Sequence, residues 1–220
     1  MNAVATNYME LIKLMPEGSR FCRDDVSWEE YEEVIEELTG VRSVHLSYEQ
    51  GRMEIISLSP EHEGYAGLFT HLIQILTEEL NLKFMSRGSM TMKRERRRRG
   101  TEPDDCFYVG DLERIRGKRR LDLEYDAPPD LAIEVDITNP TVNKFSIYAG
   151  LGVPELWRYD GRAVEFYELD EDQHVRVATS RLFPFLTPEA VAAAIEQGDL
   201  DDINSMRQAF RQWVQANKPQ

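Results

Sequence analysis

Residues 129–137 read "PDLAIEVDI". Leu131, Ile133, Val135 and Ile137 alternate as the apolar face of a strand, which leaves Asp130, Ala132, Glu134 and Asp136 on the other face. A period of two commits the segment to a strand with one packed side. The second side carries three carboxylates. Either it simply meets water, as in many antiparallel sheets, or those acids have chemistry to perform.

Around that strand, helix and strand signals alternate with no internal repeat and no low-complexity linker. Residues 26–38 are amphipathic, with Ser27 placed to cap a helix that Gly40 ends. Two alternating runs, 44–48 and 52–58, flank Glu49-Gln50-Gly51, a hairpin signal. Ser59 and Pro60 open a second helix, whose Leu68, Phe69, Leu72, Ile73, Leu76 and Leu80 make a broad core face. After a break at Arg87-Gly88-Ser89 come residues 90–93, the basic run "KRERRRR" and an expected strand over 102–109. A basic loop over 114–120 precedes the 129–137 strand, and Asn139-Pro140 is expected to start a short helix over 140–149. Residues 155–159 and 163–169 read as strands about an Asp160-Gly161 turn, with 174–180 as the next partner. From Thr187-Pro188 the tail is helical, and Met206, Phe210, Trp213 and Val214 form an apolar stripe suited to a core or a dimer contact. The expected fold class is α/β with an α+β mixed sheet. Residues 1–26 read as an N-terminal extension, 27–186 as the main domain and 187–220 as a helical segment packed on it.

A chain of 220 residues with 41% hydrophobic content can bury one sizeable core. Cys22 and Cys106 are too few for a disulfide framework and have no metal-ligand spacing. The N-terminus lacks the basic start and apolar core of a signal peptide, and no apolar run reaches membrane-spanning length. A cytoplasmic protein with no membrane partner is expected. No glycine-rich phosphate loop, Walker or Rossmann fingerprint occurs, so no small-molecule organic cofactor is expected.

The net charge of −14 argues against a general nucleic-acid coat protein. Its distribution says more: residues 93–120 hold 11 Lys/Arg against 6 Asp/Glu, one basic segment on an acidic body. Lys93, Arg94, Arg96, Arg97, Arg98 and Arg99 are therefore candidate nucleic-acid contacts. The same run without a partner is a solvated β-arm.

Asp104 follows Pro103 at the start of one expected strand, and Glu134 lies in the middle of the next. If those strands pair, both carboxylates project from one side. With the carbonyl of Val135 they offer hard oxygen ligands to Mg²⁺, or to Mn²⁺ in its place. Asp136 is either a third ligand or a salt-bridge partner. Lys144, in the following helix, can reach a nucleophilic water or a phosphate oxygen. Each residue also has a plainer reading: Asp104 as a strand-start residue, Lys144 as an exposed helix lysine, His62 as a capping or packing residue. Tyr148 shares the Lys144 face and reads as core, and Cys106 as a small buried apolar residue. Glu134, between Ile133 and Val135, needs a partner if it is buried.

The segments "EPDD" (102–105), "DLAIEVDITNP" (130–140), Lys144 and "IYAGLGVPELWRYDG" (147–161) together resemble the Uma-two family of restriction endonucleases, within the PD-(D/E)XK nuclease superfamily. The likeness extends to "HLSYEQGRMEIISLSPEHE" (45–63) and "SRLFPFL" (180–186), spanning residues 27–195. It implies a restriction-endonuclease-like fold, Mg²⁺ as the metal and DNA as the substrate. It sets Pro103-Asp104 on the family's PD, Glu134 on its second acid and Lys144 on a basic residue moved from the strand to the next helix. His62, with Glu61 or Glu63, falls at the start of a site-lining helix. At position 136 the chain has Asp where the superfamily has lysine. The implied protein is a Mg²⁺-dependent endonuclease, for which cutting both strands calls for a homodimer. The competing expectations are a nuclease-like scaffold that binds nucleic acid or a partner protein without turnover, and a structural domain whose carboxylate face is solvated.

Overall fold

The computed structural model describes residues 7–41, 44–137, 144–197 and 203–219. The Asn7 side chain accepts from the Glu10 amide at 3.0 Å and opens α1 (Tyr8–Leu14). β1 (Arg20–Arg23) follows, then α2 (Trp28–Glu37), whose cap Ser27 accepts from the Glu30 amide at 3.1 Å. Trp28, Tyr31 and Val34 recur every three residues and form the buried stripe of α2. β2 (Val44–Glu49) and β3 (Arg52–Ser57) form the expected hairpin. Its two turn residues, Gln50 (φ 51°) and Gly51 (φ 97°), are both left-handed, as a tight turn between right-twisting strands requires. Ser59 caps α3 (Pro60–Glu79) by accepting from the His62 amide at 3.2 Å.

The segment expected as an N-terminal extension is built into the fold. β1 pairs antiparallel with β3, and Tyr8 joins the core that Trp28, Tyr31, Tyr48 and Ile55 share. The strand expected over 102–109 starts only at Asp105, and residues 102–104 form a crossing between two sheets. β5 (Met92–Arg94) and β6 (Arg99–Thr101) complete a five-stranded antiparallel sheet ordered β1-β3-β2-β6-β5. After residues 102–104, β7 (Asp105–Val109) enters the second sheet between β4 (Phe84–Ser86) and β8 (Leu131–Val135). Pro103 has no amide to give to a ladder, which suits the crossing between sheets.

The second sheet is mixed. Its order is β11-β10-β9-β8-β7-β4, with β9 (Glu155–Tyr159), β10 (Val164–Asp170) and β11 (Gln173–Val177) as antiparallel neighbours. β8 and β9 run parallel, and α4 (Lys144–Leu151) lies on the connection between them. The expected helix start at Asn139-Pro140 lies outside the described residues. α5 (Pro188–Gln197) and α6 (Ile203–Asn217) follow.

Alternation along β8 decides which helices cover it. Leu131, Ile133 and Val135 face the core shared with α3, α5 and α6, where they meet Phe69, Leu72, Ile195 and Phe210. Ala132 faces the opposite core, with Cys106, Ile147, Tyr148 and Leu151. Both faces of this central strand are buried, so the water-facing reading of its carboxylate side fails. Each of the three large apolar side chains stabilises the fold by about 1.5–3 kcal/mol. The ionised groups on the other face have to be compensated by partners.

Candidate active site

Glu134 is the residue for which that compensation matters most. It is 2% exposed and sits under α4. Lys144 and Tyr148, one turn apart on α4, share a helix face and point at it together. The Lys144 ammonium holds Oε2 at 2.5 Å, and the Tyr148 hydroxyl donates to Oε1. Burial pushes the Glu134 carboxyl up to about 7, although the Lys144 charge pulls the other way. For Lys144, burial is the largest single influence and opposes its charge, but Glu134, Asp104 and Asp136 together outweigh it and hold the ammonium well above its ordinary range. Burial together with Glu134 also raises Tyr148, so its hydroxyl stays a donor at neutral pH.

Asp104 approaches from the neighbouring crossing. Its amide donates to the Ile133 carbonyl at 3.1 Å, and its Oδ2 accepts from the Val135 amide at 2.5 Å. These two bonds fix Asp104 beside the end of β8, within one residue of Glu134 on either side. Two imidazoles flank it: His62 Nε2, from the first turn of α3, lies 3.3 Å from Oδ2, and His45 Nδ1, from β2, lies 3.1 Å from Oδ1. Burial would raise the Asp104 pKa, but the two imidazoles hold it well below the usual carboxylate range. The same contact raises His62 against the effect of its own burial. Oδ1 has a close neighbour but no aligned hydrogen bond, and His62 Nδ1 is likewise buried without one. Gly18, His45, Ser59, His62, Asp104, Val135 and Lys144 are among the residues lining the cleft here.

The structure therefore brings Asp104, Glu134, Val135, Lys144 and His62 together, from β8, α3, α4 and the crossing between sheets. It separates others from them. Asp136 is tied to Arg158 at 2.7 Å, the salt-bridge alternative of its two expected roles. Glu63 is exposed and does not line the cleft. Asp130 accepts from the Val109 amide at 2.8 Å and pairs with Arg114. The basic run is largely engaged: Lys93 pairs with Glu32, Arg96 with Glu124 and Arg99 with Glu49. Arg94 donates to the Leu123 carbonyl at 2.8 Å and Arg98 to the Tyr48 hydroxyl at 2.9 Å, while Arg97 is exposed.

His45 has no counterpart among the sequence expectations. Its only signal is a histidine in a strand buried on both faces. Tyr148 reads as core from spacing alone; it is core, and its hydroxyl also serves Glu134.

No group of three His, Cys, Asp or Glu among the described residues is arranged to hold a metal. The oxygen set of Asp104, Glu134 and the Val135 carbonyl suits instead a hard divalent ion that keeps several of its waters. The buried Asp104 Oδ1, which accepts no aligned hydrogen bond although His45 Nδ1 stands 3.1 Å away, is the acceptor such an ion would use.

Fold and site together define a mixed α/β protein with a buried acid–base cluster where two strands of its larger sheet meet a crossover helix. Residues 28–200 match the family Uma2, described as "Putative restriction endonuclease", and the chain belongs to that family. Among solved structures, a "putative nuclease belonging to DUF820" from Anabaena variabilis ATCC 29413 is similar, at 16% identity and a TM-score of 0.44. The alignment covers 74% of this chain and 90% of that one. No curated protein matches.

Proposed function

We propose that this chain is a metal-dependent nuclease that hydrolyses phosphodiester bonds, with DNA as its substrate and Mg²⁺ or Mn²⁺ as its ion. The carrying observation is that Asp104, in the crossing just before β7, is bonded to β8 on either side of Glu134, with Lys144 against Glu134. Asp104, Glu134 and the carbonyl of Val135 would hold the ion. When bound, a divalent ion neutralises charge on a phosphate oxygen and lowers the pKa of water. Lys144 serves as a fixed positive charge, because Glu134 keeps it protonated and unfit as a base. Tyr148 holds the second oxygen of Glu134, leaving the carboxylate a defined orientation. His45 and His62 orient Asp104 from two sides.

One observation favours a second reading. Lys144 and Tyr148 already engage both oxygens of Glu134, and Asp136 is bound to Arg158, as in a scaffold that binds without turnover. Calorimetry with Mg²⁺ and Mn²⁺, beside incubation with supercoiled plasmid, separates the two. Metal binding and nicking that both vanish in Glu134→Ala are the expected result. Metal or DNA binding without nicking supports the scaffold. No metal binding to the wild-type chain removes Asp104 and Glu134 as ligands.

A further inference from the structure

Tyr125 is 88% exposed, the most exposed large apolar side chain among the described residues. A single exposed tyrosine is ordinary. This one differs because its loop is pinned while its ring is free. Lys118 binds Asp126 and closes the loop, and the Tyr125 amide donates to the Asp122 carbonyl at 2.9 Å. The neighbouring Glu124 holds Arg96 Nε at 2.5 Å and the Arg96 amide at 3.2 Å, which docks the loop against the turn between β5 and β6. Arg96, its side chain 78% exposed, therefore stands beside Tyr125.

The two basic segments of the sequence thus converge on one surface. Arg97 lies in the β5–β6 turn, Arg119 and Arg120 lie in the loop that Lys118 and Asp126 close, and all three are exposed with no acidic partner among the described residues. Arg94 and Arg98 hydrogen-bond neutral groups, the Leu123 carbonyl and the Tyr48 hydroxyl, while Glu124 and Glu29 also act on their charges. Residues 93–99 and 114–126 together hold 11 Lys/Arg against 4 Asp/Glu, an excess of cations on a chain of net charge −14. The surface also lies near the site: Arg94 and Arg99 rest against Gly152 and Gly150 at one end of α4, and Lys144 begins the other. Along the helix axis those ends are about 10 Å apart, a few nucleotides of chain.

We infer that Tyr125, with Arg96, Arg97, Arg119 and Arg120, forms a stacking platform for an unpaired stretch of nucleic acid a few nucleotides from the Glu134–Lys144 cluster. An aromatic ring beside a guanidinium takes the face of a base, and a base offers that face only when it is out of a duplex. The preferred substrate then carries a single-stranded segment next to the bond that is cut. The location rests on the nuclease reading, but the platform is tested apart from it.

The test is fluorescence anisotropy of the full chain in EDTA, with a labelled single-stranded oligonucleotide and the matching duplex. Tyr125→Ala is expected to weaken single-strand binding by about five- to a hundredfold, with duplex binding little changed and Tyr125→Phe close to wild type. Arg119→Ala with Arg120→Ala is expected to flatten the salt dependence of single-strand binding by about 1.4 in log–log slope. Equal affinity of wild type and Tyr125→Ala would overturn the platform, as would equal losses on single strand and duplex, or no binding by the wild type. A plasmid that stays uncut with Mg²⁺ while the Tyr125 effect persists sinks the nuclease reading and leaves the platform standing.

Discussion

Glu134 and Lys144 are each almost fully buried, and each is tolerable only because of the other. Removing one partner of such a pair leaves an uncompensated charge and costs about 3–5 kcal/mol, whereas replacing both with apolar residues can be near neutral. Urea unfolding of Glu134→Leu, Lys144→Met and the double variant should show both single changes strongly destabilising and the double change milder than their sum. Additive losses would mean that the pair is not coupled. Glu155 poses a related problem without a cation. It is fully buried, and Trp157 Nε1 and the Leu182 amide donate to it at 2.6 and 3.0 Å. Burial still raises its pKa above 4.5. The folded state then binds this proton more tightly than the unfolded chain does. Its contribution is complete below pH 4.5 and is lost as pH rises through the folded pKa. Stability curves of wild type and Glu155→Gln should diverge over that window, with the wild type the one that falls as pH rises.

At the scale of elements, α2 seats on the first sheet through a close approach to Gly100 of β6. A Cβ there would lie 2.1 Å from the Tyr31 hydroxyl oxygen and 2.8 Å from its ring carbon Cζ. Tyr31 is fully buried and stacked on Tyr48 at 4.7 Å, so it has no room to withdraw. Gly100→Ala is expected to lower stability by about 1–3 kcal/mol in chemical denaturation, as overpacking does. Gly150→Ala is the control. Its Cβ would meet the flexible Arg99 side chain at 2.3 Å, which can swing aside at a smaller loss. Equal losses would show that the close approach of α2 is not what Gly100 permits. The crossover has its own division of labour: β8 supplies the acid and α4 the two donors that meet it. An exchange of Lys144 and Tyr148 would keep composition and helix propensity while breaking that match.

For the whole molecule, α6 closes the larger core by placing Met206, Phe210 and Val214 against the α3 side of the second sheet. Three such side chains stabilise the fold by about 5–9 kcal/mol, comparable with the total stability of a domain. A chain ended after residue 197 should therefore lose its cooperative thermal transition by circular dichroism. A retained transition near the full-length midpoint would make α6 an accessory. Much of this architecture is legible in local pattern. Ser27 and Ser59 cap where expected, Gln50-Gly51 turns the first hairpin, and the period of two over 131–137 puts Leu131, Ile133 and Val135 into one core. Asp104, Glu134 and Lys144 are singled out by residue type and by the family resemblance. Other features are set by contacts between residues far apart in the chain. The parallel register that sets Glu134 opposite Arg158 lies beside the reach of Arg158 to Asp136, and neither segment signals the other. His45 comes to Asp104 across 59 positions of sequence. The sequence by itself determined the elements, the packed side of the central strand and the acids on its other side, because caps, turns and periodicity are short-range. Only the tertiary structure decided that this other side is buried under α4 and that Lys93, Arg96 and Arg99 of the basic run are held in ion pairs, because burial and charge pairing depend on which distant segments meet.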